Sequence, residues 1–168
     1  MSYSVEFYGG DPARIARAVS DLDLDVLDDE RAFPLQVDFS LRLGPEDFDV
    51  LTEAIRALVG SGPSSFVESF EETVLSNDEV SVDVLSLEWA TMVASVPGDA
   101  CNKVVDQWVK TLAKNYGDPQ MKATDELRYA FAALVELCRR AKTERLPVVH
   151  VFMPVSYTHL TLPTNREV

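Results

Sequence analysis

A run of apolar residues near the C-terminal end of the chain, Leu146–Met153, constrains the fold most. It reads Leu-Pro-Val-Val-His-Val-Phe-Met and is rich in β-branched and aromatic side chains. Because it lacks the alternation of a half-exposed strand, it predicts a strand that is buried on both faces. Such a strand needs a neighbour on each side. The sequence therefore predicts a β-sheet with this strand in its interior.

Other segments predict the remaining strands of that sheet. In the segments Tyr3–Tyr8 and Leu35–Leu43, apolar side chains alternate with more polar ones. This period of two is typical of amphipathic strands with one buried face. A third, shorter strand is expected at Val80–Val84, where three valines occupy alternate positions.

Most of the other segments have apolar residues at helical spacing between recognisable capping and breaking residues. Helices are predicted from Pro12 to about Leu22, from Pro45 to Val59, over Phe66–Leu75, from Ser86 to Val96, from Ala100 to Tyr116 and from Thr124 to Ala141. The predicted fold is one α+β domain over residues 1–154, with a mixed β-sheet and helices packed mainly on one face.

The charge balance of the chain excludes nucleic acid as a partner. The formal net charge is −13, and a phosphate backbone repels such a surface because its recognition needs clustered Lys and Arg. One stretch is densely basic, and it lies near a predicted helix end, where cations complement the helix dipole. It contains Arg139, Arg140, Lys142 and Arg145.

The most acidic stretch of the chain, between residues 21 and 30, is the candidate partner-binding surface. Exposed charge steers an oppositely charged protein, so a basic protein is the expected partner. The Asp-x-Asp-x-Asp opening is similar to that of a calcium loop, but Val26 and Ala32 occupy the positions of its glycine and its final glutamate. We therefore favour a solvated acidic connection, and no metal ion or cofactor is expected. The candidate residues are Asp21, Asp23, Asp25, Asp28, Asp29 and Glu30.

Cysteine usage and the absence of export signals indicate a cytoplasmic protein. Cys101 and Cys138 lie far apart and outside any C-x-x-C pattern, so neither a disulfide framework nor a zinc site is predicted. The first residues lack the basic and apolar regions of a signal peptide. No segment approaches the roughly 20 uninterrupted apolar residues that span a bilayer.

Few residues are candidates for catalysis. His150 lies in the predicted central strand, and we favour a buried core histidine over a general base because a charged imidazole is costly there. Glu68, Glu71 and Glu72 share a face of a predicted helix, for which a solvated surface is favoured over carboxylates that share a proton. Cys138 falls on the apolar face of its helix and is expected to act as a small hydrophobic residue.

Two functional hypotheses remain open. The first is a non-catalytic binding or regulatory protein, for example an acidic immunity-like partner of a basic protein, and the charge and the lack of catalytic motifs favour it. The second is an enzyme whose site is assembled from distant carboxylates and His150. The enzyme would need a deep pocket that contains His150 or a pair of acids.

Three stretches in the C-terminal half of the chain carry a family resemblance. They are Ser-Leu-Glu-Trp89, Asp-Gln-Trp108-Val, and Leu134-Val-Glu-Leu-Cys-Arg-Arg-Ala followed by Leu146-Pro-Val-Val-His-Val-Phe. With the order of the predicted elements, they resemble uncharacterised families of small bacterial proteins, the domains of unknown function. The resemblance implies a bacterial source. Because those families have no assigned chemistry, it transfers no site residue.

The C-terminal tail carries a second resemblance. Residues Val155–Thr164 read Val-Ser-Tyr-Thr-His-Leu-Thr-Leu-Pro-Thr and are similar to a translation of the transposase adapter DNA used in sequencing libraries. The resemblance implies a metagenomic gene fragment that is truncated near Pro154 and followed by an artefactual tail over residues 155–168. Segments of this kind are left out of fold reasoning.

We predict that a chain ending at Pro154 keeps the stability of the full chain. Its free energy of unfolding in urea should fall by less than about 1 kcal/mol, because no selection fitted the tail to the core. If the shortened chain does not fold, the tail belongs to the domain.

Overall fold

The structure is a computed structural model that describes residues 3–21, 25, 29, 31–39 and 43–154. These residues form an α+β fold with one five-stranded sheet, as predicted. The strands are β1 (Tyr3–Gly9), β2 (Leu35–Asp38), β3 (Phe70–Ser76), β4 (Ser81–Leu85) and β5 (Val148–Pro154). The helices are α1 (Pro12–Ser20), α2 (Pro45–Val59), α3 (Leu87–Ala94), α4 (Cys101–Tyr116) and α5 (Asp125–Glu144).

The strand order is β2-β1-β5-β4-β3, which places β5 in the middle of the sheet. The interior position predicted for Leu146–Met153 is thus confirmed. All four described pairings are antiparallel, so the expectation of a mixed sheet was wrong in that detail. Antiparallel pairing suits the short β3–β4 hairpin, whose turn is held by Asn77 Oδ1 accepting from the backbone N–H groups of Glu79 and Val80.

Helices cover the two faces of the sheet unequally, as predicted. The larger core lies between one face and the helices α2 to α5, and it includes Phe7, Trp89, Trp108 and Leu134. The smaller core lies on the opposite face beneath α1 and includes Tyr8, Ile15 and Val151. Because both faces are covered, β1 is buried on two sides, whereas its alternation had predicted one.

Local signals explain where the helices begin and end. Asp11, Ser86 and Thr124 accept backbone N–H groups of the first turns of α1, α3 and α5, which satisfies donors that have no partner inside a helix. Gly60 and Gly117 adopt the left-handed conformation after α2 and α4, where glycine ends a helix without strain.

The helix predicted over Phe66–Leu75 was wrong. Residues Val67–Ser69 form one turn of 3-10 helix, and Phe70–Ser76 is the strand β3 at the edge of the sheet. The register of β3 against β4 is irregular at two places. These irregularities remove the period of two and leave apolar residues at spacings that are typical of a helix. Glu68, Glu71 and Glu72 therefore do not share a helix face.

The second predicted strand, Leu35–Leu43, is shorter than expected. Strand β2 covers Leu35–Asp38, and the backbone N–H of Phe39 still bonds to the carbonyl of Val5. Residues 40–42 lie outside the described residues.

We predict a large difference in stability between two substitutions on α5. Leu134 is fully buried, so Leu134→Ala should lower the free energy of unfolding by about 2–5 kcal/mol. Glu136 is exposed and its carboxylate lies 3.9 Å from the Arg139 guanidinium, so Glu136→Ala should cost less than about 0.5 kcal/mol. Urea titrations of both variants measure this, and equal losses would contradict the packing of α5.

Candidate functional site

The acidic residues predicted as a partner surface are only partly within the described chain. Asp21 and Asp25 are exposed, and Asp29 is partly exposed. The Asp29 carboxylate accepts the backbone N–H of Arg31 at 2.9 Å and lies 3.5 Å from its guanidinium. The other predicted members, Asp23, Asp28 and Glu30, lie outside the described residues. In the part that the structure describes, this stretch therefore shows separate exposed charges and no packed site.

A second acidic surface was missed by sequence reasoning. No Lys or Arg occurs between Arg56 and Lys103. Seven acids in that interval are exposed and only Asp83 is buried, so every exposed charge that this interval contributes is negative. A count of charge by segment would have revealed it. The exposed members are Glu68, Glu71, Glu72, Asp78, Glu79, Glu88 and Asp99.

The acidic edge, which we define as Glu71 and Glu72 of β3 with Asp78 and Glu79 of the following turn, borders the sheet. Among the described residues, strand β3 pairs with β4 alone and is the last strand in the order. An edge strand presents unpaired backbone donors and acceptors to a partner. The acidic edge therefore combines free main-chain hydrogen-bonding groups with negative charge.

A row of four paired residues, one from each of four strands, crosses the sheet behind this edge. Phe7, His150, Asp83 and Thr73 are consecutive register partners on β1, β5, β4 and β3. Residues paired across antiparallel strands present their side chains on the same face. The buried carboxylate of Asp83 thus lies beside the buried imidazole of His150, on the face of the sheet that α2 to α5 cover.

Asp83 is well satisfied although it is only 3% exposed. The hydroxyls of Thr73 and Ser81 donate to its Oδ1 and Oδ2, each at 2.7 Å. Nδ1 of His150 lies 3.5 Å from Asp83 Oδ2, which is longer than a normal hydrogen bond but close enough for electrostatic attraction. Sequence reasoning had not paired the two residues because they are distant along the chain.

Aromatic rings enclose His150, which is 1% exposed. Its ring centroid lies 5.5 Å from that of Phe7, 5.1 Å from Phe66, 5.6 Å from Phe70 and 6.3 Å from Phe152. Among the described residues, neither Nδ1 nor Nε2 of His150 has a hydrogen-bond partner. The imidazole is therefore a core residue whose two nitrogens make no hydrogen bond, although Nδ1 lies near the Asp83 carboxylate.

Burial and the neighbouring polar groups together set the charge state of His150 and Asp83. Burial lowers the pKa of His150, against the attraction of Asp83, so the imidazole is neutral in the folded state near neutral pH. Burial alone would raise the pKa of Asp83, but the adjacent His150 imidazole and the hydrogen bonds from Thr73 and Ser81 hold that pKa below its ordinary value. The pair is thus an ionised carboxylate next to a neutral imidazole.

The arrangement of the pair suits a structural role. A general base needs its free nitrogen within hydrogen-bond reach of a substrate, whereas Nε2 of His150 faces an apolar shell. Phe70 and Phe152 are the partly exposed rings of that shell, so a substrate would have to displace them.

Other reactive groups are also buried. Both cysteines are free thiols inside the core, and burial raises the pKa of Cys101 and of Cys138, which suppresses the reactive thiolate. In the described part of the chain, no three His, Cys, Asp or Glu side chains are grouped so that they could ligate a metal ion. No described helix has the length and apolar character needed to cross a bilayer.

No family model, no curated protein and no solved structure matches the chain.

We predict that His150 makes stability depend on pH. The unfolded chain takes up a proton at the ordinary histidine pKa of about 6.5, whereas the folded chain resists it. Stability should therefore fall as the pH falls below about 6.5, with a slope of at most about 1.4 kcal/mol per pH unit for one group. Urea titrations between pH 7.5 and 5 measure the slope.

His150→Gln should reduce this slope because glutamine does not titrate. An undiminished slope in the His150 variant would show that folding does not lower the pKa of this imidazole.

Proposed function

We propose that the protein is a non-catalytic binding protein that receives a basic, extended segment of a partner protein at the acidic edge. The observation that carries the proposal is the coincidence of two features: an edge strand whose outer side has no strand partner among the described residues, and an interval of chain that has no Lys or Arg. Strand addition supplies main-chain hydrogen bonds, and the side chains on the added strand supply specificity.

Charge at the edge selects the partner. Glu71 and Glu72 repel a second copy of β3, and charged edges are a common means of preventing association between identical sheets. A lysine- or arginine-rich strand relieves that repulsion, so the same residues disfavour self-pairing and favour a basic partner. The net charge of −13 adds long-range attraction that increases the rate of association.

The contacts that hold β3 against the core also support the proposal. Thr73 of β3 donates to buried Asp83, and the Phe70 ring stacks on His150 at an interplanar angle of 20°. These contacts fix β3 to the core, so a partner meets a preformed strand and the cost of ordering it is small.

The catalytic alternative receives less support. His150 and Asp83 are the buried histidine–carboxylate pair that such an enzyme would use, but both are almost completely inaccessible. We therefore assign the pair to the structure of the core. A bacterial, cytoplasmic setting belongs to the same proposal, because free cysteines suit a reducing compartment.

An eight-residue peptide of alternating Lys and Val tests the proposal. It should bind the full chain, and its affinity should fall as salt rises, because the contacts involve opposite charges. Neutralising the acidic edge should weaken binding by about five-fold or more, on the scale of several exposed ion pairs. Fluorescence anisotropy of the labelled peptide measures this, and the variant carries Glu71→Gln, Glu72→Gln and Glu79→Gln.

Two control variants locate the effect. One removes three exposed acids on α2 and α5, and its affinity should be nearly unchanged; it carries Glu46→Gln, Glu53→Gln and Glu126→Gln. The other removes the described members of the surface that was predicted from sequence and carries Asp21→Asn, Asp25→Asn and Asp29→Asn. Equal weakening in all three variants would mean that net charge alone attracts the peptide, and weakening only in the last would place the site near α1.

A further inference from the structure

A cleft of about 400 Å³ opens at one end of the sheet, between the start of α3 and the end of α5. Its volume lies within the range of small-molecule sites. The end of β4 and the start of β5 form its base. Apolar side chains make up most of the lining, including Leu85, Leu87, Ala90, Ala141, Leu146 and Val148.

Two cations stand at this cleft without an ion-pair partner among the described residues. Lys142 and Arg145 line it from α5. Other basic side chains of the same helix are engaged: Arg139 donates to the carbonyls of Ala94 and Val96, and Arg140 lies 3.2 Å from Glu144. The dipole of α5 explains cations at the helix end, but it does not explain why these two lie beside an apolar cleft in a strongly acidic protein.

The backbone of Arg145 is held in an uncommon conformation. Arg145 ends α5 with a φ of 59° and is the one described residue other than glycine with a positive φ. Glycine is the usual residue at this position of a helix end, since it carries no Cβ penalty. The chain thus has a guanidinium at the cleft where glycine would relieve backbone strain.

The other charges around the cleft restrict where an anion can lie. The positive end of the α3 dipole lies at Ser86 and Leu87, which both line the cleft. Glu71 lines it from β3 and repels an anion. Among the lining residues, Lys142 and Arg145 alone carry a full positive charge, so they attract a negative headgroup more strongly than the partial charge of the α3 dipole, and the apolar body lies against the base.

We propose that this cleft binds a small amphipathic carboxylate, with the carboxylate at Lys142 and Arg145 and a hydrocarbon or aromatic body on the apolar base. The cleft shares Glu71 with the acidic edge, but it takes a ligand of opposite charge and does not depend on the proposed function. It gives a role to the two unpaired cations and to the exposed apolar surface of Leu87, which is 65% exposed.

Titration with sodium octanoate, followed by NMR of the full chain, tests the proposal. Octanoate should cause saturable shifts at Ala90, Ala141 and Val148. Octanol and octyltrimethylammonium have the same chain with a neutral or a positive headgroup, and they should bind at least about five-fold more weakly, on the scale of an exposed charge contact.

Substitutions at the mouth of the cleft separate binding from folding. Arg145→Gly removes the charge and suits the positive φ, so it should keep or raise stability while weakening octanoate binding by about five-fold. Lys142→Gln should weaken binding similarly, and Glu71→Gln should strengthen it. Arg140→Gln, on the same helix but outside the cleft, is the control and should leave binding unchanged.

Three results would overturn the proposal. They are the absence of saturable shifts at the cleft, binding of octanol as tight as that of octanoate, and unchanged affinity in both the Lys142 and the Arg145 variants.

Discussion

The pairing of β5 with both of its neighbours is the contact on which the rest of the structure depends. β5 pairs with β1 over seven residues and with β4 over five, and its apolar side chains enter the cores on both faces of the sheet. The same pairing places His150 between Phe7 and Asp83. A polar residue at this position has to be accommodated by its neighbours, because a buried, unpaired polar group is costly. Hydroxyls from β3 and β4 satisfy Asp83, and aromatic rings surround the imidazole.

This constraint connects the core to the edge of the sheet. Strand β3 buries few side chains of its own, so its packing alone gives little stability. The Thr73 hydroxyl that satisfies Asp83 and the Phe70 ring that stacks on His150 hold the strand in place. The buried pair thus orders the strand whose outer side carries the acidic edge. In this account the titratable groups inside the protein are structural, and recognition uses exposed charge.

Much of the fold could be predicted from the sequence because several signals act locally. The two-sided apolar run identified the central strand, and Pro45 with Gly60 marked both ends of α2. Strand β3 was missed because its irregular register hides the period of two, and its pairing with β4 overrides local spacing. The partnership of Asp83 with His150 could not be predicted, since it arises from register between strands that are far apart in sequence. The acidic edge was detectable as an interval without Lys or Arg, but its position at an edge required the strand order.

Amide hydrogen exchange of the full chain, with and without the Lys–Val peptide, tests the central claim most directly. The account predicts that the peptide slows exchange of the β3 amides that do not bond to β4, because strand addition pairs them, and leaves the amides of α1 unchanged. Slower exchange in α1 with unchanged exchange in β3 would contradict it.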